Sequence, residues 1–97
     1  MAIDVNHLKA ALQRDVDALR QTSQELRVQA HLARADLKVE CDRLELLLRR
    51  VQEDVARMGE HVKTPLHDME AALRKLIDEI GHGFSRVRAA LQADVPG

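Results

Sequence analysis

The residues that could do chemistry in this chain are five histidines, one cysteine, one serine on an apolar face and a Gly-His-Gly triplet. A zinc site needs three or four ligands converging at suitable spacing. His7, His31, His61, His67 and His82 are nowhere three or four residues apart. His61 and His67 flank Thr64-Pro65, with Glu60 and Asp68 nearby, and read as surface histidines around a turn. Cys41 sits on the apolar face and reads as a small buried hydrophobe. Its acidic neighbours Glu40 and Asp42 oppose formation of the reactive thiolate. Ser23 reads as a small polar residue tolerated beside backbone. Gly81-His82-Gly83 follows no strand and lacks the lysine of a phosphate-binding loop, which leaves a hinge or a frayed turn. Adjacent acids such as Asp78 and Glu79 point in different directions on a helix, and no nucleophile–base set is visible. The sequence thus assigns no catalytic, cofactor-binding or metal-binding residue and gives no support for an enzyme.

Any of these groups would have to be positioned by helices. Val5, Leu8, Leu12, Val16, Leu19, Ser23, Leu26, Ala30, Ala33, Leu37, Cys41, Leu44, Leu48, Val51, Val55, Met58 and Val62 follow one another at steps of three or four. That is the spacing of one helical face. No proline or glycine precedes Gly59. The pattern predicts one helix over about residues 4–62, begun by Asp4 or Asn6 as N-cap and roughly 85–90 Å long. Thr22-Ser23-Gln24-Glu25 matches a capping box, yet the apolar phase passes through it undisturbed. The 4-4 steps at Leu8-Leu12-Val16 and Ala33-Leu37-Cys41 locally unwind a supercoil, so a nearly straight bundle is expected.

A turn over about 59–64 comes next. Thr64 as N-cap and Pro65 as first helical residue start a second helix, over about residues 65–91, with a bend allowed at 81–83. Its stripe is Leu66, Met69, Leu73, Leu76, Ile80, Phe84, Val87 and Leu91. The second helix is too short to cover the stripe of the first, so intermolecular packing is expected. The fold class is all-α: a single helical unit of 97 residues, associating as an antiparallel coiled-coil or four-helix-bundle homo-oligomer. The interface would comprise Leu19, Leu26, Ala30, Ala33, Leu37, Cys41, Leu44, Leu48 and Val51. A second face, Val28, Leu32, Val39 and Leu46, flanks it and suggests contact with two neighbours. In an antiparallel pair centred near Val39, Arg34 would face Glu45 of the partner copy and Arg27 would face Gln52.

Composition limits the function classes. The charged fraction of 32% with a single aromatic, Phe84, fits long helices. A formal net charge of −1, well interleaved, offers nucleic acid no basic patch. No segment reaches the length of a membrane span, the start lacks a signal-peptide pattern, and one cysteine excludes an internal disulfide. A reduced, cytoplasmic protein is expected, with a homo-oligomer (a dimer or a dimer of hairpins) or another helical protein as partner. The alternative is an amphipathic protein on a membrane or storage-granule surface, using Leu73, Leu76, Ile77, Ile80, Phe84, Val87 and Leu91 with Arg74, Lys75, Arg86 and Arg88.

One segment resembles a known family. Glu25-Leu26-Arg27-Val28-Gln29-Ala30-His31-Leu32-Ala33-Arg34-Ala35-Asp36-Leu37-Lys38, followed by Glu40 and Leu44-Glu45, is similar to a stretch of short bacterial helical proteins described as coiled-coil stress-response proteins. The resemblance covers about residues 19–50. It departs from the family pattern at Cys41, where an aromatic often stands, and the second helix has no counterpart. It implies a bacterial, helical protein associated with stress and carries no catalytic residues.

Overall fold

A computed structural model describes residues 5–33, 35–58 and 66–93; the side chains of His31, Leu32, Ala33 and Leu66 fall outside the description. Among the described residues all regular structure is helical: α1 Val5–Ala33, α2 Ala35–Ala56 and α3 Leu66–Ala93. The three pack against one another in every pairing.

The long first helix is therefore two helices, which corrects the continuous reading over 4–62. Arg27 in α1 lies 2.7 Å from Glu45 in α2. Lys9 Nζ donates to the Ala56 carbonyl at 3.0 Å across 47 residues. In one straight helix those two residues would stand about 70 Å apart. The longest dimension of the whole molecule is 54 Å. α1 and α2 pack against each other, and the apolar stripe folds onto itself. Thr22-Ser23-Gln24-Glu25 starts no helix: α1 runs through it, and Thr22 Oγ1 donates back to the Ala18 carbonyl at 3.1 Å, the usual mid-helix use of a threonine hydroxyl.

The two halves of the stripe supply most of the core. Leu8, Leu12, Val16, Ser23, Leu26 and Ala30 from α1 are buried, as are Leu37, Cys41, Leu44, Leu48, Val51 and Val55 from α2, with Met58 beyond its end. From α3 come Leu73, Ile80, Phe84, Val87 and Leu91. Leu19, Met69, Leu76 and Ile77 pack at its margin. Asp36 and Asp68 stand in the first turns of α2 and α3, where a negative charge suits the positive helix end. At the other end of α2, the Lys9 ammonium takes one of the carbonyls the helix leaves open.

Direction follows from the pairs that touch. Arg27 reaches Asp42 and Glu45 while Lys9 reaches Ala56, so α1 and α2 are antiparallel. Arg74 approaches Asp15 at 3.6 Å and Gly81 faces Leu19, so α1 and α3 run parallel. The result is an up-down-up three-helix bundle.

The anticipated bend at 81–83 is also corrected. α3 is unbroken through both glycines. Gly83 is buried, and a Cβ built there would stand 2.5 and 2.9 Å from the Leu44 methyls. The absent side chain is a notch that lets α3 approach α2 around Leu44. Gly81 differs: the same atom would meet only Leu19 Cδ2, at an ordinary 3.8 Å. The expected turn at 59–64, the Thr64-Pro65 start, the Asp4 cap, Val62 and His61 lie outside the described residues.

Candidate interaction surface

The residues expected at an oligomer interface sit in the interior of one chain. Leu26, Ala30, Cys41, Leu44, Leu48 and Val51 are all at most 2% exposed. Leu37 is buried and Leu19 half-buried, while the Ala33 side chain lies outside the description. The physical reason is that α1 and α2 pack antiparallel. Once the stripe is folded in two, each half covers the other, and α3 covers the remaining side. Of the partly buried charge pairs, Arg27 meets Glu45 rather than Gln52, and does so within one chain.

The flanking row behaves differently. Val28, Val39 and Leu46 are 64%, 68% and 63% exposed; the Leu32 side chain lies outside the description. Val39 and Leu46 are two helical turns apart on α2, on the face opposite Cys41, Leu44 and Leu48. Large aliphatic side chains at this exposure gain little from the core, and each would release about 1–2 kcal/mol more on full burial. Around them the surface is charged. Arg43 holds Glu40 through two hydrogen bonds of 2.5 and 3.2 Å, and this contact with the Arg43 guanidinium keeps the Glu40 carboxyl below its ordinary range. Arg27 bridges Glu45 and Asp42 at 2.7 and 3.7 Å. Asp42 Oδ1 accepts no hydrogen bond. Exposed pairs of this kind contribute little singly: Arg27→Met is expected to cost no more than about 1 kcal/mol, measured by urea denaturation, despite its two partners. A loss of several kcal/mol would mean that the hairpin depends on this ion pair.

Cys41 is a free thiol in the N-terminal third of α2, fully shielded from solvent. Burial pushes its pKa up, and the Asp42 and Glu40 carboxylates add to the shift. A raised thiol pKa means that stability is fully present at neutral pH. It declines as pH climbs above the unfolded thiol value of about 8.5, because the unfolded state then gives up its proton first. At neutral pH, reagents such as dithionitrobenzoate should modify Cys41 only as fast as the bundle opens, and at once in urea. Immediate labelling of the folded protein would show that the thiol is accessible.

Among the described residues, the remaining chemistry-bearing side chains do not converge. His7, His67 and His82 are exposed on separate stretches of helix, and no group of three His, Cys, Asp or Glu among the described residues could hold a metal. Ser23, 5% exposed, opens with Arg20, Gln24, Arg49 and Gln52 onto a polar notch of about 140 Å³ between α1 and α2. The face of α3 that would meet a lipid surface is taken up by the core: Leu73, Ile80, Phe84, Val87 and Leu91 are buried, and Leu76 and Ile77 pack beside them. No described helix is long and apolar enough to cross a membrane. No family model, curated protein or solved structure matches this chain. What distinguishes the described surface is the exposure of Val28 on α1 and of Val39 and Leu46 on α2.

Proposed function

We propose that this protein is a non-enzymatic helical interaction module that works by helix–helix packing. The single observation behind this reading is the exposure of Val28, Val39 and Leu46 on a bundle whose other large aliphatics, among the described residues, are buried or packed against its core. Scattered apolar side chains are ordinary on protein surfaces; here two of them share one face of α2 at helical spacing. Partner helices are recognised by such rows of side chains seated in a facing groove. The stripe itself serves folding, so association uses the outward row instead. The resemblance to coiled-coil stress-response proteins adds a stress-associated setting to the reading.

The test is a comparison of complexes. Chemical cross-linking in the native cell should trap the wild-type chain in a defined assembly, with its own copy or with another helical protein. The variant Val28→Lys/Val39→Lys/Leu46→Lys should keep its helical circular dichroism and lose that assembly. An unchanged cross-linking pattern in a folded variant would overturn the reading.

A further inference from the structure

Over residues 36–50, α2 carries a charge pattern that is complementary to itself; the helix continues to Ala56 with Glu53 and Asp54 beyond that stretch. Residues 36–42 hold Asp36, Glu40 and Asp42 against Lys38; residues 43–50 hold Arg43, Arg49 and Arg50 against Glu45. Within this stretch the first half is acidic and the second basic, with the change of sign between Asp42 and Arg43. Arg27 of α1 closes on Asp42 and Glu45, one in each half, and Arg43 pairs with Glu40 across the midpoint, which takes one charge from each half and keeps the sign of both. The exposed aliphatics straddle the same point, Val39 before it and Leu46 after it. A surface whose charge reverses about its own midpoint, with an apolar residue on either side, complements a second copy turned by a two-fold rotation.

We infer that the outer face of α2 is a self-association surface, on which a second copy of this chain docks with its α2 antiparallel. The inference rests on the interaction-module reading and names its partner. In this arrangement Val39 lies against Leu46 of the second copy, and the two-fold axis passes between Asp42 and Arg43. Asp42 then meets Arg43 of the other copy. Asp36 comes opposite Arg49 and Arg50, all three on the exposed side of the bundle. A parallel pairing would set Arg43 on Arg43 and Arg50 on Arg50, with each half facing its own sign, which costs on-rate and specificity. One helix face with two aliphatic anchors per copy is a small contact, so the dimer is weak and concentration-dependent.

Sedimentation of the full chain over about 10–500 µM, a range suited to small transient interfaces, should show a reversible monomer–dimer equilibrium that weakens in high salt. Leu46→Lys should raise the dissociation constant by at least about tenfold, because the lost contact occurs twice per dimer. Its helicity should stay at the wild-type level, since Leu46 is outside the core. Orientation is read by single cysteines placed in a Cys41→Ala background. Arg43→Cys, next to the axis, should form a disulfide with its own copy under mild oxidation, while Glu53→Cys, three turns away, should not. A wild-type chain that stays monomeric throughout overturns the inference. So does a Leu46→Lys chain that dimerises like wild type, or equal cross-linking at positions 43 and 53, the mark of a parallel pair. A monomeric wild type that still loses a heterologous partner in cells on Leu46→Lys would overturn self-association alone and leave the interaction-module reading standing.

Discussion

Phe84→Ala is expected to remove about 3–5 kcal/mol of stability, the usual cost of emptying a large aromatic site in a packed core. Phe84 is the one aromatic residue of the chain and is 2% exposed on α3. Ile80 and Val87 flank it on the buried face of the same helix. A domain of this length holds about 5–15 kcal/mol in total, so the variant would keep a small margin. Urea unfolding followed by circular dichroism should show a lower midpoint with an unchanged slope, the signature of lost stability in a native state of similar compactness. A loss below about 1 kcal/mol would match an exposed position and would mean that α3 is not packed on the other two helices.

Gly83→Ala is expected to destabilise the bundle by about 1–3 kcal/mol, the range for overpacking a filled core. This holds although the same change in an exposed helix stabilises by about 1 kcal/mol. The new methyl would come within 3 Å of both Leu44 methyls, and Leu44 is only 1% exposed, with little room to withdraw. Gly81→Ala, two residues earlier, meets nothing closer than 3.8 Å and should gain most of the propensity term. The opposite signs of these neighbouring changes report the close approach of α3 to α2. Leu44→Ala should relieve the clash, so that the double variant Gly83→Ala/Leu44→Ala loses less than the two single losses combined, a coupling that contact residues show in a mutant cycle. Equal gains at both glycines would place the α2–α3 contact elsewhere.

These effects mark where the sequence could be read and where it could not. The stripe from Leu8 to Met58 names buried positions because a helix that must hide one face repeats its apolar residues at three and four, whatever covers that face. Its cover cannot be read from the same spacing. Ala33-Arg34-Ala35-Asp36 has no glycine or proline, and the apolar phase runs across it, so an unbroken rod and a hairpin have the same pattern. The closure is written only in pairs distant along the chain, such as Arg27 with Glu45 and Lys9 with Ala56. Gly83 was misleading for a related reason. Its cost to a helix is a local property, whereas its use as a notch depends on Leu44, 39 residues away, arriving opposite it.

The sequence by itself determined helix type, the second helix with its Phe84 stripe, and the side chains that would be buried. It also marked Val28, Val39 and Leu46 as a face apart from the main stripe. Only the tertiary structure decided that the stripe closes on itself within one chain, that three helices share one core, and that the outer row stays in solvent. The reason is that apolar burial is non-directional. Periodicity states that a face must leave water, and the choice between its own chain and another belongs to the geometry that brings the faces together.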